Sequence, residues 1–234
     1  MYGHAVPASG LSAPSLQRPS KRSGTRNPVG LACMCVAAMA LVWVIAELVP
    51  AAQWRDVVVL HDFTLLSRPR VDSVGRFLTH LLKPLLFVIW GVALIAVALA
   101  RERPRVAAGI FVILAFAPFT SEVLKPLMAH PHMRFDGVHI NPASWPSGHS
   151  TAALALAFAA VLAAPPRLRP LVASLGAVFA LAVGCSLLIL ALHMPSDVLG
   201  GYLVATFWAA VAVAAVRAAN RRWPPAHLHS RAQA

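Results

Sequence analysis

Trp145-Pro146-Ser147-Gly148-His149-Ser150-Thr151, followed at once by the apolar run Ala152 to Ala164, decides how this chain is read. Pro146 fixes its own φ and suits the first turn of a helix. Ser147, Ser150 and Thr151 are cap-forming residues, and Gly148 lets backbone approach a ligand closely. The stretch therefore reads as the start of an apolar helix. Its free N–H groups and positive dipole end face outwards and suit an anion. His149 adds a ring that exchanges a proton near neutral pH.

The chain around it is overwhelmingly apolar. Its 234 residues are 59% hydrophobic and only 12% charged, with a mean hydropathy of +0.70. That composition excludes an ordinary soluble domain and points to an integral membrane protein. A net charge of +12 would suggest nucleic acid in a soluble protein. Here most arginines lie in short segments between apolar runs, as topology signals do, so anionic lipid headgroups are the expected partner and nucleic acid is not. Cys33, Cys35 and Cys185 sit inside apolar runs, with no spacing that suggests a disulfide frame or a metal site. The abundance of Ala, Arg, Val and Pro suggests a GC-rich bacterium, hence a multi-pass protein of the bacterial plasma (inner) membrane.

The hydropathy pattern predicts an all-α, six-transmembrane helix bundle. Residues 1–28 form a basic tail without apolar periodicity, expected to be disordered. Spans are expected at about Val29–Val49, Phe77–Ala100, Val106–Leu124, His149–Ala164, Leu171–Leu192 and Asp197–Val216. Residues 51–76 read as a loop carrying a short interfacial amphipathic piece, and Lys83 as a lysine snorkelling to the headgroups. Residues 217–234 read as a second disordered basic tail. The two tails and the turns at 101–105 and 167–169 hold most of the Arg and Lys, and six spans put all four on one side. The positive-inside rule makes that side the cytoplasm, with both termini in it. Lys125, His149 and His193 then meet on the outer face.

Those three positions carry the chemistry. Ionisable groups near membrane depth are expensive and tend to be functional. In His193-Met194-Pro195-Ser196-Asp197 the spacing lets the carboxylate reach the imidazole. Such a partner fixes the tautomer and makes the other nitrogen a better nucleophile. Together, Lys125, Pro146-Ser147-Gly148-His149 and His193-x-Pro-Ser-Asp197 resemble the signature of the type-2 phosphatidic acid phosphatase superfamily. That signature is a Lys with a downstream Arg-Pro, then Pro-Ser-Gly-His, then Ser-Arg-x5-His-x3-Asp. The resemblance covers roughly residues 30–216.

The resemblance implies a membrane phosphatase acting on a lipid phosphate or a polyprenyl (di)phosphate at the extracytoplasmic face. His193 would attack phosphorus and form a phosphohistidine, Asp197 would orient it, and His149 would protonate the leaving oxygen. Lys125, Ser147 and the Gly148 N–H would hold the phosphoryl oxygens. No metal or other cofactor is implied, since side chains supply the positive charge. Two family arginines are replaced. The arginine six residues before the nucleophile is Leu187, although the preceding Ser186 matches. The first-motif Arg-Pro falls on His132-Met133, with His130-Pro131 one register earlier. A bidentate arginine clamp is strong and not easily replaced by imidazole, but Arg134 is close enough in sequence to substitute, and His130 or His132 can contribute when protonated. Loss of both clamps motivates a second reading, a catalytically degenerate lipid-phosphate binding or transport protein. A third, vanadate-dependent oxidation, rests on motifs shared with soluble haloperoxidases. The six spans and the missing arginines argue against it.

Overall fold

Proline marks where most of the helices begin. The computed structural model describes residues 27–129 and 140–223 and contains eight helices there. They are α1 (Pro28–Leu48), α2 (Pro50–Thr64), α3 (Pro69–His80), α4 (Pro84–Ala100), α5 (Pro104–Leu127), α6 (Gly148–Ala163), α7 (Arg169–Ile189) and α8 (Pro195–Arg222). Every one except α6 has proline in its first two positions. There the missing N–H costs nothing and the fixed φ is already helical. Helix α6 starts instead on the side chain of Ser147, whose hydroxyl accepts the Ser150 N–H. Pro146 is thus outside the helix, before the cap, and joined to Trp145 by a cis peptide bond.

The structure is all-helical among the described residues. Helices α1, α5, α7 and α8 are each long and apolar enough to cross a membrane. Helix α6 is shorter, and at ~1.5 Å per residue it is about 24 Å long. The face of α7 that carries Leu171, Leu175, Val178 and Leu181 is exposed, as a lipid-facing surface requires.

Three expected boundaries are corrected. The span expected at Phe77–Ala100 is broken: Phe77–His80 ends α3, and α4 starts only at Pro84, bent from α3 by 58°. Pro84 is the cause, because it disfavours helical geometry at Lys83, whose ψ is 147°. Residues 51–76 are largely helical, as α2 and most of α3, rather than a loop. Helix α8 runs on to Arg222, past the expected end at Val216.

Small residues let the helices come close. Ala155, Ala159 and Ala163 of α6 pack with Ala205, Ala209 and Ala212 of α8 in one core cluster, alongside Ile110 and Ile113 of α5. Gly75 brings α3 against Ser186 of α7. The interior is therefore stabilised by shape and backbone proximity as much as by large apolar side chains.

The ends of the helices sort by charge. At one end, Arg103 donates to the Leu162 carbonyl (3.3 Å), Arg169 to that of Ala164 (3.4 Å) and Arg105 to Asn220 (2.8 Å). Burial first, then the nearby Arg169 and Arg101, hold the Arg103 guanidinium below its ordinary pKa. At the opposite end, the Trp43 indole donates to the Met128 carbonyl (3.3 Å), and the start of α6 meets both the end of α5 and the start of α8. The turns that carry Arg103, Arg105 and Arg169 thus lie away from the cluster of histidines.

Candidate active site

The turn that delivers His193 is built by backbone. Helix α7 closes with the Leu192 N–H donating to Leu187 (2.9 Å) and the Ala191 N–H to Leu188 (3.0 Å). This is the Schellman pattern, and Ala191 takes its left-handed position with φ 50°. Glycine usually fills that position, so Ala191 carries strain two residues before His193.

Two carboxylates then cap α8. Asp197 reaches back so that Oδ2 accepts the Met194 N–H (2.9 Å), the return half of a capping box. Asp56, on α2, accepts the Ser196 N–H (3.2 Å) and the Ser196 hydroxyl (2.5 Å). Negative charge at a helix N-terminus is favourable. The same Asp197 Oδ2 lies 3.3 Å from Nδ1 of His193. Asp197 is fully buried, and its Oδ1 has no hydrogen-bond partner among the described residues. With Nδ1 turned to the carboxylate, Nε2 is the nitrogen left for a substrate.

Helix α6 is locked to α8 beside this pair. The Ser147 N–H donates to the Asp197 carbonyl (2.9 Å). Thr151 donates to the carbonyls of Ser147 and Gly201, and Ser150 to those of Ser147 and Val198. The Ser121 hydroxyl of α5 joins Thr151 at 2.8 Å. Gly200 and Gly201 make this approach possible. A Cβ on Gly200 would come within 2.7 Å of the Trp145 indole nitrogen, and one on Gly201 would collide with Ser147 and Ser150.

A cavity of about 690 Å³ opens in front, walled by Lys83, Glu122, Lys125, Gly148, His149 and His193. Phe87, Val88 and Pro118 form its apolar side. Lys125 pairs with Glu122 at 2.6 Å, and Gly148 faces both side chains. Such a pocket combines an imidazole held by a carboxylate, a second imidazole, two lysines and a helix N-terminus. These groups can bind an oxyanion and exchange protons with it. An apolar groove of about 420 Å³ lies between α4, α6 and α7, with Leu94, Leu156, Leu175 and Phe179 in its walls. It has no ionisable lining.

Of the residues expected from sequence, Lys125, Gly148, His149 and His193 share this cavity, with Asp197 directly behind His193. Ser147 is fully buried, with its hydroxyl engaged as the helix cap rather than lining the cavity. Arg134 and His132 lie outside the described residues. Leu187 is fully buried in an apolar cluster with Val57, Leu60, Val183 and Val198. The missing arginine is thus replaced by packing. Sequence reasoning missed Asp56, which meets Ser196 across 140 positions, and it missed the place of Lys83 in the cavity wall.

A family model for the PAP2 superfamily matches residues 80–221, more than half of the chain. The chain belongs to the PAP2 superfamily. It is a multi-pass membrane protein, and phosphatase chemistry is what membership supports in general. Among solved structures, it is similar to the first transmembrane PAP2 type phosphatidylglycerolphosphate phosphatase from Bacillus subtilis. The TM-score is 0.64 at 23% identity, covering 86% of this chain and 98% of that one. At that identity the likeness speaks for the fold. No curated protein matches.

Proposed function

We propose that this PAP2 member releases orthophosphate from a lipid phosphate or polyprenyl (di)phosphate through a phosphohistidine on His193. The observation that carries the reading is a single cavity holding the Asp197-backed His193, His149, Lys125 and the start of α6. Nε2 of His193 attacks phosphorus. The bond from phosphorus to the leaving oxygen breaks as His149 gives that oxygen a proton. Water then attacks the phosphohistidine while His149 takes its proton, and orthophosphate leaves with His193 restored. Lys125 and the Gly148 N–H offset the charge that builds on the phosphoryl oxygens. Ser147 acts from behind by fixing the first turn of α6.

In this reading α1, the bent α3–α4 pair, α5, α6, α7 and α8 make six spans. The arginine-rich end faces the cytoplasm and the cavity faces outwards, which agrees with the gathering of Arg103, Arg105 and Arg169 at one end. Both termini are then cytoplasmic. The test is phosphate release by the purified protein and by His193→Ala, with chelator present. The panel contains phosphatidic acid, phosphatidylglycerol phosphate and undecaprenyl diphosphate. Release by the wild type alone supports the reading, and undiminished release by His193→Ala refutes it.

The burial of Leu187 favours one rival, a site that binds lipid phosphate without turnover. That rival requires lipid-phosphate binding with no phosphate released by the wild type.

A further inference from the structure

The phosphoryl group that this site is read to hold is an anion, so the charge of the cavity wall decides how tightly it is held. Position 187, where the family signature has arginine, is a leucine sealed into apolar packing and offers no charge. Among the described residues, the fixed charges of the wall are Lys83, Lys125 and Glu122. Glu122 sits 2.6 Å from the Lys125 ammonium and offsets it. Lys83 therefore decides whether that wall is neutral or positive.

Its setting suits the task. Lys83 occupies the break between α3 and α4 that Pro84 imposes. Its backbone is held on both sides, by its N–H donating to His80 (3.0 Å) and its carbonyl accepting from Phe87 (2.9 Å). Its side chain is exposed and has no ion-pair or hydrogen-bond partner among the described residues. An unpaired ammonium on a flexible stem is a point-charge ligand for phosphate. In an unbroken helix from Phe77 the same residue would be a headgroup anchor, as the sequence alone suggests. The 58° bend is the feature that sets it beside His149 and His193 in the wall of one cavity.

We propose that Lys83 binds the phosphoryl group of the substrate, supplying the cation that Leu187 cannot. The inference rests on the phosphatase reading above and adds a substrate-binding residue to it. The full chain is purified in detergent as wild type, Lys83→Ala, Lys83→Arg and the control Arg76→Ala on α3. Turnover is measured on dioctanoyl phosphatidic acid and on p-nitrophenyl phosphate, which has no lipid part. Inhibition by inorganic phosphate is measured alongside.

Lys83→Ala is expected to lower kcat/KM by about tenfold to a hundredfold on both substrates. Inhibition by inorganic phosphate weakens in parallel, Lys83→Arg keeps most of the activity, and Arg76→Ala changes neither quantity. Should Lys83→Ala handle p-nitrophenyl phosphate and inorganic phosphate as the wild type does, the lysine touches only the lipid surface and the proposal is wrong. If Lys83→Ala fails to elute as folded protein, Lys83→Gln carries the same comparison. If the wild type turns over neither substrate, the phosphatase reading fails by itself. Binding of inorganic phosphate, followed by phosphorus NMR, then decides Lys83 separately. Weaker binding in Lys83→Ala upholds it, and unchanged binding overturns it.

Discussion

Removing the Asp56 carboxylate should loosen the start of α8, although Asp56 is 140 positions from the serine it holds. Its two oxygens accept from the N–H and the hydroxyl of Ser196, and Ser196 is buried. A hydrogen bond to a charged group contributes about 1.5–3 kcal/mol to stability, and a negative charge at a helix N-terminus about 0.3–1 kcal/mol more. Asp56 is half-buried, so solvent offsets part of this, and Asp56→Ala should cost roughly 2–3 kcal/mol in all. For a chain of this size that corresponds to a fall of about 4–12 °C in apparent Tm. Asp56→Asn keeps one acceptor and should lose about half as much. The assay is thermal unfolding in detergent followed by size exclusion. Asp62→Ala serves as the control, because Asp62 is exposed on the same helix. The next residue after Ser196 is Asp197, so kcat should fall more than KM rises. Asp56→Ala and Asp62→Ala unfolding at the same temperature would refute this account of the link between α2 and α8.

Asp197→Asn preserves shape but removes the charge that faces His193, and kcat for phosphate release should drop on the order of 10³–10⁴-fold, as when a histidine loses its orienting carboxylate. A drop under tenfold would mean that His193 works without it. Ala191→Gly relieves the left-handed strain of about 1–2 kcal/mol but adds freedom to the unfolded chain, so apparent Tm should rise by roughly 1–4 °C. A fall would show that the turn is unstrained. Gly201→Ala should destabilise by roughly 1–3 kcal/mol through overpacking against Ser147 and Ser150, whereas Gly30→Ala, inside α1 with a new methyl that would meet nothing nearer than 3.8 Å, should raise apparent Tm slightly in the same melt.

Much of this architecture is legible in the chain because its signals are local. Apolar runs between basic turns give the helices expected at Val29–Val49 and Leu171–Leu192 to within a few residues. The four-residue spacing of His193 and Asp197 suffices to place one opposite the other, as the 3.3 Å separation bears out. The errors arise where local signals compete or are absent. Leu81 and Leu82 continue the apolar pattern of Phe77 and Leu78 into that of α4, so one span is read where Pro84 makes a bend. Pro146 looks like a first-turn proline, yet Ser147 behind it takes the cap, and the helix starts one residue later. Lys83 is an anchor in a straight helix and a cavity residue in a bent one. The bond from Asp56 to Ser196 joins two polar residues with no common motif, and only the packing of α2 near α8 brings them together. Position 187 alone says that an arginine is missing. The apolar cluster around Leu187 says that helix packing occupies its place.

The central claim is that His193 becomes phosphorylated, and trapping that intermediate tests it most directly. Protein incubated with radiolabelled lipid phosphate is quenched in alkali within one turnover, because phosphohistidine survives base and is lost in acid. The account requires label on the peptide that contains His193 in the wild type, and none in His193→Ala. Label on any other residue, or steady phosphate release with no labelled protein at any quench time, would contradict it.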